Sequence, residues 1–241
     1  MPADLGDDYI LVNTAGFKLT GIKKGREKLS MRVVVGQDEW ATPTISSTLT
    51  QLLINPDWRV PHSIATQELL PIIKRNPNYL TNNGYEIIAN RNGETVRLDP
   101  NSIDWSKMNR GRFPFQLRKV PGTSNPLGKV KFFIPNKHNV YLHDTNRRDV
   151  FKSAYRNLSH GCIRLERPKD LIKFVLSSDS KWDNAKINEA YNSTESQIVN
   201  VADRLPVYLG YFTAWVGDDG KIGFYNDIYM KDKAIITAAN I

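Results

Sequence analysis

Along the first 55 positions, apolar and polar residues are patterned as strands. Tyr9-Ile10-Leu11-Val12-Asn13 runs into a turn at Ala15-Gly16, Leu29 to Gly36 is rich in β-branched residues and ends in glycine, and Ile45 to Ile54 sets apolar residues among Ser and Thr. Asn55-Pro56 closes this run, because proline lacks the donor a sheet ladder needs and restricts the residue before it.

Beyond Pro56 the pattern changes. Apolar residues at helical spacing from His62 to Lys74 predict a helix, with Ser63 as its cap and a break or kink at Pro71. Tyr85–Ala89 and Thr95–Leu98, joined through Arg91-Asn92-Gly93, predict a hairpin, and Trp105, Phe113 and Phe115 supply aromatic anchors. A segment of about 60 residues is too long for a plain loop. It reads as an α+β capping insertion over 56–121, placed as a lid would be.

Strand signals then resume at Val130–Pro135 and Val140–His143, separated by the polar turn 136–139. Arg147 to Ala154 predicts a short helix, Pro168 to Leu176 a helix opening on proline, and Lys186 to Tyr191 another. Leu205–Leu209, Phe212–Val216 and Ile222–Tyr225, with a turn over 217–220, return the tail to β structure. The expected fold is a mainly β, sandwich-like core with peripheral helices and the α+β insertion.

Composition adds limits. The chain of 241 residues is 40% hydrophobic and 24% charged, which is globular usage. No apolar run approaches the ~20 residues of a membrane helix. The opening residues Met1-Pro2-Ala3-Asp4 lack the basic and apolar parts of an export signal, so the chain is either cytoplasmic or a piece of an exported protein. A net charge of +8 suits an anionic partner. The basic residues are scattered and no nucleic-acid-binding motif accompanies them, whereas a carboxylate-rich polymer fits as well.

The single cysteine, Cys162, excludes an intrachain disulfide and zinc sites built on paired cysteines. It lies in Ser159-His160-Gly161-Cys162-Ile163-Arg164-Leu165, downstream of Tyr141-Leu142-His143-Asp144-Thr145, so two of the four histidines accompany it. A thiol titrating near ~8.5 needs a base to become a nucleophile at neutral pH, and an imidazole suits that role. Gly161 lets backbone approach a substrate closely, and amides around Gly161 and Cys162 could face a developing oxyanion. Spacing leaves open whether His160 or His143 is the base. In an extended strand His160 would share a face with Cys162. Two other readings stand beside this one: His143, His160 and Cys162 as metal ligands, and an inert buried cysteine.

The spacing of His143, fifteen residues, then Ser159-His160-Gly161-Cys162-Ile163 resembles the signature of the L,D-transpeptidase (YkuD) family. Arg164 stands where many members have Asn. A Gram-negative, periplasmic branch with a capping insertion also has Arg there, and Asn55-Pro56-x-Trp58-x-Val60-Pro61, Tyr141 to Thr145 and Asp227-Ile228-Tyr229 are similar to it. The resemblance covers essentially the whole chain. It implies a catalytic domain over 1–241, Cys162 as nucleophile, His143 as base, and the backbone carbonyl of Asp144 as orienter of the imidazole. Ser159, His160 and Gly161 would shape the site, while Trp58, Tyr141 and Arg164 would meet substrate. Arg164 would hold a substrate carboxylate or a structural salt bridge. The implied activity is 3→3 cross-linking of peptidoglycan stem peptides, with no cofactor and no metal, and with carbapenem β-lactams as inhibitors. A cysteine L,D-carboxypeptidase or endopeptidase on the same peptides, and a non-catalytic wall-binding module, are the alternatives. A periplasmic location follows from the resemblance, the chain then being an excised piece without its signal.

Overall fold

A computed structural model of the chain describes residues 1–2, 4–91, 94–217 and 220–238. The turns expected at Asn92-Gly93 and Asp218-Asp219 lie outside the described residues. The strands are β1 (Tyr9–Asn13), β2 (Lys18–Lys23), β3 (Arg26–Gly36) and β4 (Ile45–Ile54), then β5 (Trp58–Arg59), β6 (Tyr85–Arg91), β7 (Glu94–Leu98) and β8 (Gln116–Lys119). After these come β9 (Val130–Phe133), β10 (Leu142–His143), β11 (Asn157–Ser159), β12 (Ile163–Leu165), β13 (Gln197–Gly210), β14 (Ala214–Val216) and β15 (Ile222–Phe224).

In the main sheet β3, β12, β10, β9, β4, β13, β1 and β2 hydrogen-bond in that order, and β2 pairs back to β3. The sandwich therefore closes on itself, which leaves few open edges; β11 sits outside the ring on β3. Inward-facing Ile10, Leu19, Leu52, Phe132, Leu142, Ile163 and Val207 are fully buried and form one core. The helix Pro168–Val175 adds Leu171, Ile172 and Val175 to it. No helix among the described residues is long and apolar enough to cross a membrane.

Several elements differ from the sequence reading. β2 was not expected, because Gly21 and the lysines at its two ends mask its alternation. Strand β13 extends to Gln197, with a register shift between Asn200 and Leu205 that interrupts the period. Only Leu142 and His143 of the expected strand 140–143 are paired. Arg148–Lys152 is a 3₁₀ turn, and the helix Asn184–Asn192 starts earlier than expected because the Asp183 side chain accepts from the Lys186 amide. A helix at Lys231–Ala238 was missed. The Asp227 carboxylate caps it by accepting from the amides of Lys231 and Asp232, both at 2.9 Å.

Residues 58–119 carry a second, four-stranded sheet in the order β5-β8-β6-β7. With it is a separate cluster of Val60, Leu70, Ile73, Leu80, Ile87, Trp105, Phe113 and Leu117. Ser63 does not cap the helix; Pro61 precedes its first turn and Ser63 lies inside it. Pro71 does not break the helix either. The turn Ala65–Leu69 widens to π geometry, with the Leu70 amide donating to the Ala65 carbonyl, and this accommodates the missing proline donor. Two buried asparagines fix the root of this segment. Asn55 donates to the carbonyls of Ser193 and Glu195 (2.8 and 2.9 Å), and Asn125 donates to that of Pro56 (2.9 Å).

Candidate active site

The site is built on the central strands. In β10 and its parallel neighbour β12, Leu142 pairs with Ile163 and His143 with Arg164. Leu142 and Ile163 are fully buried in the core, so by strand alternation Tyr141, His143, Cys162 and Arg164 face the other way. On the far side of β10, His143 pairs with Lys131 of β9. Lys131, His143 and Arg164 thus form one row across three strands, and Tyr141 and Cys162 stand a step along. All five line a cleft of about 640 Å³ between the main sheet and the inserted segment, which contributes Asp57, Trp58, Arg59 and Glu68. His143 and Cys162 are diagonal neighbours, their backbones about 8 Å apart by sheet spacing and their side chains converging on one cleft.

His143 is buried, and its Nδ1 lies 2.5 Å from the carbonyl oxygen of Asp144. A carbonyl only accepts, so Nδ1 carries the hydrogen and Nε2 keeps its lone pair. Burial, and then the charge of Arg164, push the imidazole down to about 3; the Asp144 contact raises it and Lys131 lowers it further. The ring is a neutral acceptor. Its Asp144 support is itself fastened: the buried carboxylate accepts from the amides of Lys129 (2.7 Å) and Thr145 (2.6 Å) and pairs with Arg148.

Cys162 is only partly exposed. Burial raises its thiol, against hydrogen bonds from the Tyr141 backbone and hydroxyl and the charges of Lys131 and Arg164. Tyr141 is bonded to Trp58 as well, and burial holds its phenol protonated.

Around the sulfur the backbone turns sharply. β11 ends at Ser159 and β12 begins at Ile163, so 160–162 form a bend instead of the extended strand considered above. Gly161 has φ +104, which suits glycine. Its amide donates to Ser159 Oγ (3.1 Å), which in turn donates to the Cys162 carbonyl (2.6 Å). Thr42 links this bend to β3: its hydroxyl donates to the Gly161 carbonyl and accepts from the Gly36 amide, both at 2.9 Å. Tyr229 braces the same point by donating to the Gly36 carbonyl (2.6 Å). His160 turns to the inserted segment, where its Nε2 meets Glu68 at 2.8 Å while its ring lies on Trp40, with centroids 4.3 Å apart.

Of the residues singled out by sequence, Trp58, Tyr141, His143, Ser159, His160, Cys162 and Arg164 share the cleft. Asp144 and Gly161 stand behind it. Thr42, Lys131 and Glu68 were missed, since an isolated Thr, Lys or Glu carries no motif; Tyr229 was noticed as part of Asp227-Ile228-Tyr229 without a role. Among the described residues no group of three His, Cys, Asp or Glu could hold a metal ion.

A family model described as YkuD, the L,D-transpeptidase catalytic domain, matches residues 7–187. A Haemophilus influenzae protein provisionally named an L,D-transpeptidase is 36% identical over 226 residues, 94% of this chain. The chain spans 45% of that relative's length. Among solved structures, L,D-transpeptidase 3 from Mycobacterium tuberculosis is similar at 14% identity and a TM-score of 0.38, over 85% of this chain and 61% of that one. An L,D-transpeptidase from Mycobacterium smegmatis is similar at 13% identity and a TM-score of 0.36, over 85% and 58%.

Proposed function

The chain belongs to the YkuD family of L,D-transpeptidase catalytic domains, and from that premise we propose that it forms 3→3 cross-links between peptidoglycan stem peptides through a thioester on Cys162. One observation carries the reading. Cys162 and His143 face a single cleft from adjacent strands, and the Asp144 carbonyl holds the imidazole with Nε2 ready to accept a proton.

Cys162 Sγ attacks the L-centred carbonyl of the third residue of a donor tetrapeptide while Nε2 takes the thiol proton. The Gly161 amide is engaged with Ser159 and the Tyr141 hydroxyl with the thiol, so the Cys162 amide is the donor assigned to the oxyanion. The bond to the terminal D-Ala breaks, its nitrogen leaves with the proton from His143, and a thioester remains. An acceptor amine then attacks the thioester, gives its proton to Nε2 and releases the sulfur as thiolate, which the imidazolium reprotonates. Residues 56–121 act as a capping subdomain, whose cover over the cleft limits hydrolysis of the thioester. A periplasmic location belongs to the same proposal.

Incubation with disaccharide-tetrapeptide tests it. The expected products are cross-linked dimer and free D-Ala, with a thioester seen by intact-protein mass spectrometry and both lost in Cys162→Ala. Tripeptide monomer without dimer replaces the reading with the carboxypeptidase alternative. Carbapenems are expected to add a single acyl group, and an adduct that survives Cys162→Ala contradicts the nucleophile.

A further inference from the structure

Lys131 and Arg164 stand on either side of His143, level with it on the two strands that flank β10, and both reach the cleft that holds Cys162. Cations withdrawn from water are ordinarily matched by hydrogen-bond acceptors or carboxylates. Buried Lys119 donates to the Asn83 carbonyl and Arg156 to those of Val33 and Ser153, while other cations of the chain meet carboxylates. Arg118 bridges Asp57 and Glu86, Arg32 meets Glu166 and Arg148 meets Asp144. Neither Lys131 nor Arg164 forms an ion pair among the described residues. The carboxylates of the cleft are engaged elsewhere, Asp57 with Arg118 and Glu68 with His160, both at 2.8 Å. The Lys131 ammonium instead lies over the rings of Tyr141 and Phe133, 3.9 and 4.7 Å from their centroids. Such contacts aim a cation without neutralising it. The structural salt bridge that Arg164 could have formed is not found among the described residues.

The row also has a cost for the chemistry assigned to it. Two positive neighbours oppose the imidazolium that His143 must become when it takes the thiol's proton. An anion seated between them would remove that opposition.

We propose that Lys131 and Arg164 form a two-cation subsite for one carboxylate of the acyl donor, so that the bound peptide supplies the counter-charge missing from this part of the cleft. The proposal rests on the reading that the cleft accepts stem peptides. Two carboxylates of such a donor lie near the bond to be broken: the terminal carboxylate of the leaving residue, and the side-chain carboxylate of a diaminopimelate-type third residue. The Arg164 fork suits a bidentate contact and the Lys131 ammonium a single one.

Calorimetry on the full chain carrying Cys162→Ala, which cannot turn substrate over, tests this with three donors: the tetrapeptide, its terminal carboxamide and its side-chain carboxamide. One carboxamide is expected to bind about tenfold or more weakly than the acid, as loss of a charge-assisted contact implies. Lys131→Met should bring the acid down to that carboxamide's level while leaving the carboxamide unchanged, and Lys131→Arg should restore most of the preference. The carboxamide that carries the penalty identifies the carboxylate. Equal binding of all three donors, no binding of any, or a preference that persists in Lys131→Met overturns the subsite. Cross-linking by the Cys162 protein separates the two levels. Dimer formation with no Lys131-dependent preference ends the subsite and leaves the activity standing, whereas Lys131-dependent binding without acyl transfer does the reverse.

Discussion

His143 is a base that burial has made reluctant, and this has a measurable consequence for the folded chain. Its imidazole lies well below the ordinary 6.5, at about 3. Between those values the unfolded chain binds a proton that the native state refuses, so stability is complete above pH 6.5 and falls as pH drops toward 3. The slope for one proton is about 1.4 kcal/mol per pH unit. Moving from pH 7 to pH 5 should therefore cost the wild type about 2 kcal/mol more than His143→Gln, read by urea unfolding at both values. Equal losses would show that the ring titrates normally. Thr42 carries a different kind of dependence. Thr42→Val leaves the Gly36 amide and the Gly161 carbonyl without their buried partner, which should lower stability by about 2–4 kcal/mol. It should also slow acylation of Cys162, whereas Thr42→Ser should stay within about 1 kcal/mol of wild type. A Thr42→Val protein that unfolds at the wild-type denaturant concentration would remove Thr42 from the site's support.

At the scale of elements, the end of β10 depends on a glycine outside any motif. Gly128 has φ +58, and a Cβ there would lie 2.3 Å from the Asp144 carboxyl carbon. That carboxylate anchors the residue whose carbonyl holds His143. Gly128→Ala is expected to destabilise by more than the ~1 kcal/mol of left-handed strain and to lower the acylation rate. Gly25→Ala, with φ +66 and only an ordinary contact to the Asp7 carboxylate at 3.8 Å, should show the strain cost alone. Equal effects at the two glycines would mean that Asp144 yields at little cost. Such dependencies also mark where legibility in the sequence stops. Local patterning exposed β1 as a short apolar run, β4 by apolar positions set among Ser and Thr, and the helix after Pro168 by burial at helical spacing. The Cys162 motif was readable because a lone thiol with His and Gly beside it is chemically unusual. β2, the closure of the sheet, the Thr42 bridge and the row of Lys131, His143 and Arg164 arise from pairings between distant strands, and no local period encodes them. Pro71 was legible as a disturbance, but the π turn that absorbs it depends on the surrounding packing.

On the scale of the whole molecule, two apolar clusters that share no residue imply two levels of stability. The inserted segment meets the main body through polar contacts at the cleft, Glu68 with His160 and Trp58 with Tyr141, and through the buried Asn55 and Asn125 at its root. Disturbing its own cluster should therefore loosen it without unfolding the ring of strands. Leu117 is fully buried in that cluster, and Leu117→Ala is expected to cost about 2–5 kcal/mol. Hydrogen exchange should speed up over 58–119 while the amides of β4 and β13 keep their protection. Phe132→Ala, in the main core, should accelerate exchange in both regions, because the segment is rooted in that core. Function gives the second readout. If the segment shelters the thioester from water, Leu117→Ala should divert acyl-enzyme from dimer to tripeptide and raise the rate at which iodoacetamide reaches Cys162. A variant whose segment exchanges freely, yet whose product ratio matches wild type, would show that exclusion of water comes from the strands and the peptide alone.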